Sequence, residues 1–177
     1  MNGLTNVVSF HYSTTPSLSV IKKVAKSIPS DKETVVACIG TDCSSGDSLG
    51  PIVGTLLQAE HFSNVIGTLN DPLDFGNYQT KFDEKYGERD NLFVIAVDAA
   101  FGYPTEVEQI IVRKGGLIPG SSLWEAKHEF GDLTVMGVIN SLGPNNEQVL
   151  HTTSLRVVLN MALVISHLLL DVFRKLE

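Results

Sequence analysis

The chain patterns as an α/β protein, a three-layer α/β/α sandwich around a mixed, mostly parallel sheet. Two nearly continuous apolar runs rich in β-branched residues, 34–39 (Thr-Val-Val-Ala-Cys-Ile) and 92–97 (Leu-Phe-Val-Ile-Ala-Val), read as strands covered on both faces. Weaker strand patterns at 65–69, 107–112 and 133–139 alternate with helical ones at 17–28, 51–59 and over roughly the last 25 residues. Such alternation layers helices on a parallel sheet.

Taken in order, residues 17–28 put Leu18, Ile21, Val24, Ala25 and Ile28 on one helical face and Lys22, Lys23 and Lys26 on the other, until Pro29 ends the helix. A polar patch, 27–34, joins this helix to the first buried strand. With 177 residues and no internal repeat, the expectation is one domain, 1–177, whose residues 1–33 form an N-terminal extension with one amphipathic helix. In the last helix Arg156, Asn160, His167, Asp171 and Arg174 make a narrow polar stripe, and Leu155, Val158, Leu159, Ala162, Ile165, Leu169 and Val172 occupy the rest. Either this helix packs on the sheet and also forms a homo-oligomer interface, or it is a core helix capped by the N-terminal one.

Composition narrows the function classes. At 43% hydrophobic and 19% charged the chain can bury a core, which excludes disorder. Lys and Arg number 13 against 20 Asp and Glu, a net charge of −7, the wrong sign for neutralising nucleic-acid phosphates. Cys38 and Cys43 form neither a disulfide framework nor a zinc-ligand set. Residues 1–12 lack signal-peptide features, and the apolar stretch 155–170 is interrupted by polar residues and falls short of the roughly 20 residues a bilayer requires. A cytoplasmic protein with no membrane span is expected.

The stretch Gly40-Thr41-Asp42-Cys43-Ser44-Ser45-Gly46-Asp47-Ser48-Leu49-Gly50-Pro51 leaves the carboxyl end of a buried strand and enters a helix, where open α/β sheets bind ligands. Its glycines match neither Gly-x-Gly-x-x-Gly nor a Walker motif. Asp47 or Ser48 reads equally well as a helix cap. The second candidate is Asp98, closing the apolar strand 94–98; a carboxylate there is desolvated, and with Asp47 it would form an acid pair able to divide the work of hydrolysis. Taken singly, Asp98 reads equally as a cap. Cys43 has no local His to act as its base, and Ser44 and Ser45 lack a nucleophile elbow. Pro119-Gly120-Ser121-Ser122 offers amides and hydroxyls to hold a peptide or an oxyanion, or is a plain turn.

These residues carry a resemblance. Asp47-Ser48-Leu49-Gly50-Pro51, Val97-Asp98-Ala99 and Pro119-Gly120-Ser121-Ser122-Leu123 resemble the Asp-x-Leu-Gly-Pro, Ile-Asp-Ala and Pro-Gly-Ser-Gly-Val segments of the germination protease, over about residues 35–162. The chain thus looks like a small sporulation protein of a spore-protease-like family, related also to the hydrogenase-maturation proteases. The resemblance implies their phosphorylase/hydrolase-like fold, Asp47 and Asp98 as the catalytic acids, and the cytoplasm of a sporulating cell. The chain is much shorter than the germination protease and has no matching propeptide, so zymogen processing is not implied.

The resulting expectation is a peptidase of the germination-protease type in which Asp98 is the general base and Asp47 the acid, exchangeable because paired acids titrate as a unit. Thr41, Asp42, Ser44, Ser45, Gly46, Gly120, Ser121 and Ser122 would hold a protein or peptide substrate, with a spore protein the candidate. The acid pair requires no cofactor. The hydrogenase-maturation proteases, with an acidic pair and a His around nickel, point instead to a divalent metal on Asp47, Asp98 and the nearest His, His128, which also reads as a solvated side chain. The alternative is a non-catalytic protein that keeps the fold and binds peptides.

Overall fold

The computed structural model describes residues 6–87, 89–119, 129–143 and 145–176. Its strands are β1 (Asn6–His11), β2 (Glu33–Cys38), β3 (Val65–Ile66), β4 (Leu92–Gly102), β5 (Gln109–Lys114) and β6 (Leu133–Ser141). Its helices are α1 (Leu18–Ala25), α2 (Leu49–Ala59), α3 (Tyr78–Tyr86), α4 (Asn146–Thr152) and α5 (Leu155–Leu176). The strands form one six-stranded sheet in the order β1-β5-β6-β4-β2-β3. Four of them, β2, β3, β4 and β6, run parallel; β5 is antiparallel to β6, and β1 to β5. This is the three-layer α/β/α architecture with a mixed, mostly parallel sheet.

The continuous apolar runs become the central strands because both of their faces are covered. Val36, Cys38, Ile95 and Val97 point into the core shared with α2 and α5, whereas Val35, Ala37, Val94 and Ala96 point to the opposite core with Leu73, Tyr78 and Leu117. Burying each such Val or Ile contributes about 1.5–3 kcal/mol, so β2 and β4 form a platform buried on both faces.

One element differs from expectation, and two helices, α3 and α4, lie where no element was expected. Residues 6–11, expected in an extension, form β1 and pair with β5 at the sheet edge. The polar segment after Asp71 contains α3, held by an aromatic stripe: Tyr78 and Phe82 both meet Phe130 edge-on, each at 5.2 Å between ring centroids. The helix expected over roughly the last 25 residues is α5, and a short helix without a strong sequence pattern, α4, precedes it.

At 22 residues, α5 is long and apolar enough to cross a membrane by length and composition, which corrects the shorter span read from sequence. Half of its most apolar window is buried in the protein. Val158, Met161, Ala162, Ile165 and Leu169 are all fully buried, and α1 packs against it. Leu155 and Leu159, expected under cover, are exposed because they lie on the side of α5 turned from the sheet.

Candidate active site

Among the parallel strands β2 is first in the chain; the next, β3, lies on one side of it and the third, β4, on the other. The carboxyl ends of β2 and β4 therefore frame the switch point at which open α/β sheets form a crevice. A cavity of about 550 Å³ opens there. Its wall includes Gly40, Asp47, Asp98, Glu106, Arg113 and Met136.

Asp47 arrives on the loop from β2 to α2. It is not the helix cap: Ser48 occupies that position, and its hydroxyl donates to Ser45 O at 2.7 Å rather than accepting from the helix. The Asp47 carboxylate turns back instead and accepts from Thr41 N through Oδ2 at 3.1 Å. A glycine makes this return possible. Gly40 has φ +135°, and a Cβ on it would stand 2.0 Å from Asp47 O.

Asp98 lies within β4, which continues to Gly102, rather than at its end as expected. The pairing of β2 with β4 stops at Cys38 and Val97, so Asp98 is the first residue beyond it, while on its other side it still pairs with Met136 of β6. Strand alternation puts Asp98 on the same face as Val94 and Ala96. Its Oδ1 accepts from Ala99 N at 2.8 Å. Among the described residues Asp47 Oδ1 and Asp98 Oδ2 have no hydrogen-bond partner, and both side chains keep part of their surface open to the cavity.

The electrostatics follow from depth. Burial raises the pKa of Asp98 well above the ordinary carboxylate range, the charge of Asp47 raises it further, and only the Ala99 N–H opposes. Asp47 is also raised by burial and by the nearby charge of Asp74, while the Thr41 N–H stabilises its ionised form. The charge of Asp47 thus disfavours ionisation of Asp98, and carboxyls that interact in this way titrate as a coupled pair.

The other loop residues do different work. Ser45 Oγ donates to Thr153 O at 2.7 Å, Gly46 N donates to Leu150 O at 2.8 Å, and a Cβ on Gly46 would stand 2.8 Å from that oxygen. Ser45 and Gly46 thus dock the loop on the end of α4. Thr41 positions Asp47 through its amide, and its Oγ1 accepts from Cys43 N at 3.3 Å. Ser44 is buried, and its hydroxyl has no partner among the described residues; Asp42 is exposed. None of Thr41, Asp42, Ser44, Ser45 and Gly46 belongs to the described cavity wall. Gly120, Ser121, Ser122 and His128 lie outside the described residues.

Both cysteines are free: Cys38 is buried, which pushes its thiol up, and Cys43 is exposed. Among the described residues no third His, Cys, Asp or Glu joins the two acids at metal-holding distance. Sequence reasoning missed Arg113 and Glu106 in the wall. The signal for Arg113 was there in Ile110-Ile111-Val112-Arg113, where alternation carries a charge onto the same face as Ile111.

The family model described as a protein of unknown function, DUF1256, matches residues 9–168. The uncharacterized protein YyaC of Bacillus subtilis (strain 168) is 41% identical over 137 residues, covering 76% of this chain and 67% of that protein.

Proposed function

The chain belongs to the DUF1256 family, and from its paired carboxylates we propose that it is a peptidase that hydrolyses a peptide bond with Asp47 and Asp98. The observation that carries this reading is that both acids, 51 positions apart, open onto one cavity with pKa values raised by burial, that of Asp98 raised further by the charge of Asp47. Fixed structural acids are ordinarily pushed the other way, by amides and cations that hold them ionised.

The unequal environments support one division of the roles. Asp98, deeper and raised more, holds the proton; Asp47, supported by the Thr41 N–H, is ionised. Strand position pointed to the opposite, exchangeable assignment. The Asp47 carboxylate takes a proton from a water molecule as its oxygen bonds to the scissile carbonyl carbon, and Asp98 gives its proton to the carbonyl oxygen. When the C–N bond breaks, the proton on Asp47 passes to the leaving nitrogen and the former carbonyl oxygen returns its proton to Asp98. Water is consumed, and both acids end as they began.

The resemblance to the germination protease supports the same reading and adds two proposals: the substrate is a spore protein, and the setting is the cytoplasm of a sporulating cell. The experiment is incubation of the chain with candidate spore proteins, with and without divalent cation, beside Asp47→Asn and Asp98→Asn. Cleavage by the wild type alone is expected. Tight binding without cleavage would instead favour a peptide-binding protein that keeps the fold.

A further inference from the structure

The cavity also contains a cation. Arg113 stands on β5, directly paired with Asn6 of β1 on one side and with Thr134 of β6 on the other, and both Arg113 and Asn6 contribute to the cavity wall. Residues directly opposite in a sheet share a face, so the guanidinium and the Asn6 carboxamide are neighbours over the sheet. Arg113 Nε is buried without a hydrogen-bond partner among the described residues. Glu129 is the acid whose charge reaches Arg113, but the two form no ion pair within 4.0 Å among the described contacts. A buried donor of a permanently charged group left without a partner costs free energy that a ligand acceptor would recover.

The register fixes how far this cation lies from the acids. Ile111, Met136 and Asp98 form one row across β5, β6 and β4; Arg113, Thr134 and Ala96 form the row two residues away. Two strand spacings and two residue rises separate the Cα atoms of Arg113 and Asp98 by about 12 Å. Arg113 accordingly forms no ion pair with Asp98 among the described residues.

We propose that Arg113, with Asn6 beside it, is a carboxylate-binding subsite that holds an anionic group of a peptide two to three residues from the bond placed at Asp47 and Asp98. A planar guanidinium matches a carboxylate in bidentate fashion. An extended peptide rises about 3.3–3.6 Å per residue, and the arginine side chain spans the remaining distance. The aliphatic wall between the two poles, with Ile111, Met136 and Leu117, suits apolar side chains in the intervening positions. The carboxylate is either a chain terminus or an acidic side chain. This deepens the peptidase reading and rests on the cavity being its peptide site.

The test measures binding, so that it stands apart from catalysis. Three synthetic octapeptides of Ala and Leu are titrated by isothermal calorimetry into wild type, Asp98→Asn, Arg113→Gln and Arg113→Lys: one with a free C-terminus, one amidated, and one amidated with a single internal Glu. At least one charged peptide is expected to bind wild type and Asp98→Asn about tenfold or more tightly than the neutral one. Which charged peptide does so identifies the source of the carboxylate. Arg113→Gln should erase the preference with neutral-peptide binding retained, and Arg113→Lys should keep part of it. Equal binding of all three, no binding of any, or a preference that survives Arg113→Gln overturns the subsite. A preference without cleavage by wild type would leave the subsite standing and remove the peptidase.

Discussion

The carbonyl oxygen of Asp47 lies against the Cα of Gly40, at the place where any larger residue would put its Cβ. The contact folds the loop after β2 back on itself, so that Thr41 N can reach the Asp47 carboxylate and the acid faces the cavity instead of capping α2. The same helix is seated by Gly50, whose Cβ would stand 2.0 Å from Ile39 O. The acid is therefore positioned by backbone contacts that only glycine permits.

Gly40→Ala should break this arrangement. The position combines φ +135° with a backbone clash, so stability should fall by about 2 kcal/mol or more, read by urea denaturation, with peptide cleavage lost alongside. An alanine variant of wild-type stability would show that the loop has another conformation.

Asp47→Asn and Asp98→Asn should each lower the rate of cleavage by about 10²–10⁴-fold, the usual contribution of one general acid or base. Single-turnover assays on a cleaved spore protein decide this. Near-full activity in either variant removes the acid pair from the mechanism.

Stability should respond to pH in the direction that a raised carboxyl dictates. Because the folded-state pKa of Asp98 lies above its unfolded value, the folded protein binds the proton more tightly, and its stability declines as pH rises from the unfolded pKa through the folded one. Asp98→Asn should therefore melt about a few degrees higher than wild type at pH 7, with the gain shrinking below the ordinary Asp range. A variant less stable at neutral pH would mean that the carboxylate is held ionised.

Asp74 raises the pKa of Asp47 by like charge, so Asp74→Asn should move the low-pH limb of the activity profile to lower pH. The amide keeps an oxygen for the turn in which Asp74 Oδ1 accepts from Gly76 N and Asn77 N. An unmoved limb would show that Asp47 does not set it.

Ser45→Ala separates docking from substrate contact. Loss of the hydroxyl that donates to Thr153 O should cost about 1 kcal/mol in stability while leaving peptide affinity unchanged. A weakened affinity at unchanged stability would return Ser45 to the binding surface.

Local pattern by itself determined the two central strands, the long final helix and the placing of Asp47 on the loop after β2, because burial on both faces writes apolar residues continuously into β2 and β4; it put Asp98 on β4 but did not show that the strand runs on to Gly102. It did not reveal α3, whose aromatic stripe of Tyr78, Phe82 and Tyr86 is diluted by six less apolar neighbours, or β1, which is half-exposed at a sheet edge and so carries no strong alternation. Only the tertiary structure decided that Asp47 turns from α2 to the cavity, that Ser45 and Gly46 dock on α4, and that Arg113 shares the acids' enclosure. Those outcomes depend on strand order and cross-chain register, which bring residues distant along the chain to one face. Periodicity reports which side of an element is buried, but not which other element it will meet.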